Sequence, residues 1–226
     1  MLKVAQSMSD LWPLLTDEQG LLLTDSMFVR KYPKGSIIYH ENDTPVYLYY
    51  LLKGKVKIYK EGVGGRPQIV HMPPLKGFFG YRAGLAGSDY ILECAVLEEC
   101  TLCHIPLSIV KRLIRENHQV AILFIRELSR LLGDAAEQTV SLTQKHLRGR
   151  LAECLLNLKD KYGTEENERT LAITASREDL ANLSNMTTSN AIRTLSSFAN
   201  EGLVALDGRR ISILDERQLQ QIATLG

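Results

Sequence analysis

The sequence predicts an α+β chain in three parts: an N-terminal antiparallel β-roll of jelly-roll type over residues 1–116, a long dimerisation helix over 117–144, and a C-terminal winged helix-turn-helix over 145–226. Three observations carry this expectation. Strand-like runs broken by glycine and proline extend from about Lys31 to Pro106, and an apolar heptad follows as far as Gln144. Near the C-terminus, two short helical patterns joined by a tight turn precede an Asp-Gly hairpin signal.

Composition sets the outer bounds. With 226 residues, 45% apolar and 23% charged, the chain has an ordinary globular balance and enough material for two modest domains. No run of 18 apolar residues occurs, so a spanning helix is not expected. Met1 to Gln19 holds one lysine and no apolar stretch ahead of a small-residue cleavage site, so it does not read as a signal peptide. The expected location is the cytoplasm, with no membrane partner. Four cysteines in that compartment do not suggest a disulfide framework. Net charge is +1, and residues 145–226 hold eleven Lys/Arg against eleven Asp/Glu. Attraction to a polyanion must therefore come from local placement of a few arginines.

The β-roll rests on five runs rich in β-branched and aromatic residues: Ser36–Tyr39, Tyr47–Leu52, Val56–Tyr59, Gln68–Met72 and Leu102–Ile105. Lys34-Gly35, Lys53-Gly54, Gly62 to Gly65 and Lys76-Gly77 supply turns between them. Short strands at this spacing predict a small antiparallel barrel or jelly roll.

From Leu107 to about Gln144 the period becomes helical. Phe124, Leu128, Leu131, Ala135, Gln138 and Leu142 alternate spacings of four and three, which makes a dimer seam the expectation. Leu123, Leu132 and Val140 form a second apolar edge. Two edges need two partners, read as the chain's own roll and a second copy. The competing reading is one core helix of a monomer. Against it stands length, since roughly 25 residues span about 37 Å and outrun a small barrel.

In the third part, Ser176-Arg177-Glu178-Asp179 opens a short helix with a capping-box variant. Leu180, Ala181 and Leu183 face inward, and Asn185 falls where a left-handed residue is needed. Thr187 caps a second helix from Thr188 to Glu201, which Gly202 ends. Its expected buried stripe is Ala191, Ile192, Leu195 and Phe198, leaving Thr188, Ser189, Asn190, Arg193 and Ser197 outward. Small polar residues and one arginine on such a face suit a major groove, where arginine can grip guanine with two parallel hydrogen bonds. Leu203–Leu206, Asp207-Gly208 and Arg209–Leu214 read as a hairpin, with Arg209 and Arg210 set against phosphates. Arg177 reads equally as a surface cap residue or a phosphate contact.

The order of roll, long helix and winged helix-turn-helix resembles the CRP/FNR family of regulators, from about Met27 to Leu214. Leu51-Leu52-Lys53-Gly54-Lys55-Val56 looks like a barrel strand and turn of that family, and Gly77-Phe78-Phe79-Gly80 like its approach to the effector pocket. Gly149-Arg150-Leu151-Ala152 with Leu155–Leu158 looks like the start of its DNA-binding domain, and Ile173–Ala181 like its first reading helix. The resemblance implies a homodimer binding a palindromic double-stranded DNA operator, with RNA polymerase as a candidate further partner. It also makes the roll a sensor for a small-molecule effector. The pocket it implies takes in Gly80, Tyr81, Arg82, Tyr90, Ala135 and Ala136.

Departures from the family pattern concern that pocket. Members that bind cyclic AMP carry Gly-Glu-Leu, then Arg-Ser facing the phosphate. Here Gly80-Tyr81-Arg82 lacks the carboxylate, and Tyr90-Ile91 occupies the Arg-Ser position. Ala135 and Ala136 stand where hydroxyl residues would meet the purine. An anion buried without a partner costs several kcal/mol, so an effector other than cyclic AMP is expected, its identity unknown. Arg82 reads equally as a contact for another anion or as a surface residue. At the base-reading positions, Thr188 and Ser189 replace the family's frequent Arg and Glu while Arg193 is kept, so a different operator is expected.

Other motifs carry less. Cys100-Thr101-Leu102-Cys103-His104 matches the covalent haem signature, yet it lies in an expected strand, where residues three apart face opposite sides. Their Cα atoms would lie about 10 Å apart, beyond the ~7 Å reach of a disulfide. Buried structural cysteine is the expectation, with no metal site. The first cysteine is Cys94, which leaves no N-terminal cluster for iron–sulfur. Non-covalent haem sensing through His71, Met72, Cys94 or His104 remains an alternative, as does a sensor module that docks a protein instead of DNA. No Gly-x-Ser-x-Gly, P-loop or His-Glu-x-x-His occurs, so no catalytic residues and no enzyme are expected.

Overall fold

The computed structural model describes residues 1–62, 65 and 67–226. They fall into two compact units, Met1–Lys60 with Val70–Gly133, and Glu61–Ile69 with Asp134–Gly226. The division passes through the long helix.

The first unit opens with helix α1 (Leu2–Gln6), a 3-10 turn (Trp12–Leu14) and helix α2 (Asp17–Ser26). Helix α2 starts on a capping box in which the Thr16 hydroxyl accepts the Gln19 N–H and the Gln19 amide oxygen accepts the Thr16 N–H. Six strands follow: β1 (Phe28–Tyr32), β2 (Ile37–Tyr39), β3 (Tyr47–Glu61), β4 (Pro67–His71), β5 (Phe78–Phe79) and β6 (Glu93–Pro106), with helix α3 (Arg82–Ala86) before β6. They share one sheet of order β1-β6-β3-β4, to which β2 adds beside β6 and β5 beside β3.

Strands β3 and β6 are its spine, antiparallel from Tyr47 opposite Pro106 to Tyr59 opposite Glu93. Side-chain alternation along β3 sends Tyr49 and Leu51 into one cluster, and Leu48 and Tyr50 into another. The Tyr49 side is the interior of the roll, shared with Phe79, Tyr90 and Leu102. The Tyr50 side is covered by α1, α2 and two further helices, α4 (Leu107–Glu116) and α5 (His118–Gln144).

One local expectation changes, at Lys53-Gly54. No turn forms at Lys53-Gly54, because β3 runs through it as a bulge. Gly54 takes φ +86°, the pairing with β6 shifts register around it, and a Cβ there would stand 2.2 Å from the Glu99 carbonyl. The helical stretch after Pro106 is broken at Asn117, whose amide oxygen accepts the N–H groups of Gln119 and Val120 to start α5. Its amide nitrogen donates to Leu14 O and Gln19 Oε1, tying that break to the N-terminal helices. The turn expected over Gly62 to Gly65 includes Val63 and Gly64, which lie outside the described residues.

The first half of the expected dimer seam packs on the chain's own roll. Phe124 is 4% exposed and meets Tyr81 edge-on at 5.2 Å, with Leu128 and Leu131 packed on the same cluster. These residues cover the chain's own roll. Ala135 is exposed, and Gln138 and Leu142 are half-buried. The large apolar side chains that α5 leaves exposed are Ile122, Ile125, Leu132 and Val140. A heptad shows that two seams exist, and only the packing shows which one the chain itself uses.

The second unit contains α6 (Leu147–Tyr162), α7 (Arg177–Leu183), α8 (Thr188–Asn200), the hairpin β7 (Val204–Asp207) and β8 (Arg210–Ile213), and α9 (Glu216–Leu225). Helix α9 closes on α6 at Gly149, where a Cβ would come within 2.8 Å of Gly226 Cα. The segment after α6, residues 163–169, leads into a third edge beside the hairpin. Thr164 bridges Leu171, the Leu171 N–H donates to Ile211 O, and the Ile213 N–H donates to Arg169 O.

Candidate functional sites: the reading helix and the filled roll

The turn between α7 and α8 is fixed by its own residues. The Ser176 hydroxyl accepts the Asp179 N–H at 3.0 Å, and the Asp179 carboxylate accepts the Ser176 N–H at 3.2 Å. Asn185 takes φ +48°, and the Thr187 hydroxyl caps α8 by accepting the Asn190 N–H. Leu180, Ala181 and Met186 lie beneath, packed with Ala191, Leu195 and Phe198 from α8.

This geometry leaves Thr188, Ser189 and Arg193 exposed on the N-terminal half of α8. Arg193 Nη2 donates to Asn190 Oδ1 at 2.6 Å, which steadies the guanidinium against the helix. Two expected positions differ. Ile192, expected in the buried stripe, is 47% exposed, and Thr194 takes the inward place. Ser197, expected outward, is half-buried, accepting from Arg148 Nη1 at 2.9 Å and donating to Glu201 at 2.6 Å. Arg148 also grips both Glu201 oxygens and lies over the Phe198 ring, so α6 holds the far end of α8. Hydrogen bonds from Arg148 and Ser197 hold the Glu201 carboxyl down to about 2.

The hairpin arginines separate by role. Asp207 pairs with Arg210, so the two-residue loop is Gly208-Arg209, one residue later than the sequence suggested, with Gly208 at φ +57°. Arg209 is exposed at that tip. Arg210 is ion-paired with Glu165. Arg177 Nη2 donates to the Gly208 carbonyl at 2.9 Å, and its Nη1 is buried without a hydrogen-bond partner. Burial lowers its pKa, and its guanidinium ties the first reading helix to the hairpin tip.

Of the residues expected to line an effector pocket, Tyr90 and Gly80 lie together in the roll. Tyr90, 6% exposed, stacks on Tyr39 with centroids 3.7 Å apart, and its hydroxyl donates to Gly80 O at 2.9 Å. Tyr49 stacks on Phe79 at 5.1 Å, and Gly80, at φ +80°, leaves room for that ring, since a Cβ would stand 2.5 Å from it. Aromatic rings therefore fill the interior of the roll. Tyr81 points to the opposite cluster, where burial pushes its phenol up to about 12. Arg82, Ala135 and Ala136 are exposed.

His104 sits among these rings, stacked on Phe28 at 4.6 Å, with Nε2 bonded to the Tyr32 hydroxyl at 2.9 Å. Burial pushes its pKa down to about 4. Nε2 is thus engaged within the protein, while Nδ1 is buried without a hydrogen-bond partner among the described residues. All four cysteines are free and buried. Cys100 lies in one cluster and Cys103 in the other, as strand alternation requires. Burial pushes these thiols up to about 11 and 12, so they remain protonated and inert. Among the described residues, no group of three His, Cys, Asp or Glu side chains could hold a metal, and no helix is long and apolar enough to cross a membrane.

A β-roll, a long helix and a winged helix-turn-helix with an exposed outer face point to a DNA-binding regulator. Comparison with known proteins agrees at both ends. The family model described as a cyclic nucleotide-binding domain matches residues 29–117, and the one described as a Crp-like helix-turn-helix domain matches residues 149–222. The chain is 25% identical over 214 residues to the fumarate and nitrate reduction regulatory protein of Vibrio cholerae, covering 93% of this chain and 85% of that protein. It is 23% identical over 203 residues to a CRP-like cAMP-activated global transcriptional regulator of Mycobacterium tuberculosis, covering 89% and 90%. Among solved structures, FixK2 from Bradyrhizobium japonicum shares the fold with a TM-score of 0.80 at 22% identity, over 87% of this chain and 96% of that one. The chain belongs to the CRP/FNR family of DNA-binding transcription regulators. Of these two relatives at nearly equal identity, one is named as cAMP-activated and the other names no effector, so likeness does not name the effector here.

Proposed function

We propose that the chain acts as a cytoplasmic homodimer that binds a two-fold symmetric operator and answers to an effector other than cyclic AMP. The observation that carries this is the stacked Tyr39–Tyr90 pair, with the Tyr90 hydroxyl bonded to Gly80 O. A cyclic nucleotide would have to displace these rings and bury its phosphate where this chain offers tyrosine and isoleucine in place of arginine and serine. In this reading Thr188, Ser189, Asn190 and Arg193 enter the major groove and Arg209 meets a phosphate. Arg177 and Arg210 position the hairpin. Ile122, Ile125 and Leu132 of α5 meet the second copy, and RNA polymerase is the partner at an activated promoter.

Selection of genomic fragments by the purified chain, with and without a small-molecule extract of its own cytosol, tests the reading. Enrichment of a symmetric site that depends on the extract, and that added cyclic AMP fails to reproduce, is the expected result. Enrichment by cyclic AMP alone would contradict the effector assignment. Failure to enrich a site under any condition would contradict the operator assignment.

A further inference from the structure

Helix α8 buries a threonine and exposes an isoleucine. Thr194 is 8% exposed, whereas Ile192 is 47% exposed. A helix chosen only to pack on its own unit would place these two the other way, since an exposed isoleucine forgoes the gain of burial and a buried hydroxyl must be satisfied. The cap at Thr187 and the anchor at Arg148, Ser197 and Glu201 fix the rotation of α8 at both ends, so Ile192 is held outward.

Its neighbours on that face are informative. Ser189 lies three residues before it, Arg193 follows it, and Ser196 lies four residues after; all are exposed. Ile192 is thus an apolar side chain in the middle of a small, polar, arginine-bearing reading face. The major groove offers one apolar feature, the 5-methyl group of thymine, and apolar side chains read it by contact.

We propose that Ile192 is a specificity residue that contacts a thymine methyl in each half-site, beside the base that Arg193 contacts. This rests on the operator reading and adds the base class that one position demands. Its side chain makes no hydrogen bond, so discrimination comes from removing one methyl from water and from rejecting a polar base edge at the same place.

The test uses the full chain and its selected site. Each thymine of a half-site is replaced singly by deoxyuridine, which lacks only the methyl group, and affinity is measured for the wild-type chain and for Ile192→Ala and Ile192→Ser. One position is expected at which deoxyuridine weakens wild-type binding about four-fold, the worth of about one buried methyl group. At that position Ile192→Ala should bind thymine and deoxyuridine alike, while Arg193→Ala should retain the difference. Tolerance of deoxyuridine at every position, or a penalty that persists in both Ile192 variants, overturns the proposal with the operator reading intact. If no site is selected at all, both fall together.

Discussion

Tyr90 and Arg193 each close the edge of a hydrophobic cluster with a polar tip, but the tips face opposite ways. Tyr90 turns its hydroxyl inward to the Gly80 carbonyl and lies flat on Tyr39. Arg193 turns its guanidinium outward and braces it on Asn190. In the roll, polar aromatic groups have become core: burial raises the Tyr39, Tyr49 and Tyr90 phenols and lowers His104. In the head, the polar groups of the reading face remain in solvent, and the ones that are bonded set the angle of that face. The contrast separates a region whose polar groups turn inward from one whose polar groups face solvent.

The largest expected effect tests the outer face of α5. Leu132→Glu places a charge at an exposed position, so the chain should fold while dimerisation and operator binding are abolished; sedimentation and gel shift report both. A dimer that survives this change would move the interface elsewhere. Tyr90→Ala addresses the filled roll. Removing a ring that is stacked and hydrogen-bonded should cost about 3–5 kcal/mol in urea unfolding, with the selected DNA sequence unchanged.

Arg193→Ala should do the reverse. Sequence-selective DNA affinity should fall by about 1–3 kcal/mol, with thermal stability unchanged because the side chain is exposed. A protein-docking role for the head would leave DNA binding as it was. The last effect concerns pH. His104 is neutral in the fold with a pKa near 4, while an unfolded histidine titrates near 6.5. Between these values the unfolded chain binds the extra proton. The stability from a neutral His104 is therefore full above about pH 6.5 and is lost as pH falls toward 4, by up to about 3 kcal/mol. His104→Phe should remove that part of the acid sensitivity, and an unchanged slope would contradict the assignment.

Local signals in the head were legible from sequence because they are short-range. The Ser176–Asp179 box, the left-handed Asn185 and the Thr187 cap each depend on residues within three positions, and each formed as expected. The rotation of α8 was not legible. Ile192 and Thr194 differ by two positions, and only the Thr187 cap and the anchor from Arg148 decide which one faces inward. In the roll, Gly54 read as a turn because a bulge and a turn call for the same residue, and only the long partner strand β6 distinguishes them. Strand β1 was missed because its five side chains are exposed or half-buried and give no alternation. The pocket residues were read as a group by resemblance, and only the packing shows that Tyr90 lies inside the roll while Tyr81 joins the opposite cluster.

The central claim is that the head reads DNA while the roll is closed to cyclic AMP. The most direct measurement is the affinity of the purified chain for its selected operator across a cyclic AMP titration. The account predicts one sequence-selective isotherm, superimposable at every nucleotide concentration. A shift of ten-fold or more with saturating cyclic AMP would contradict it, because the rings of Tyr39 and Tyr90 would then have to part for the nucleotide.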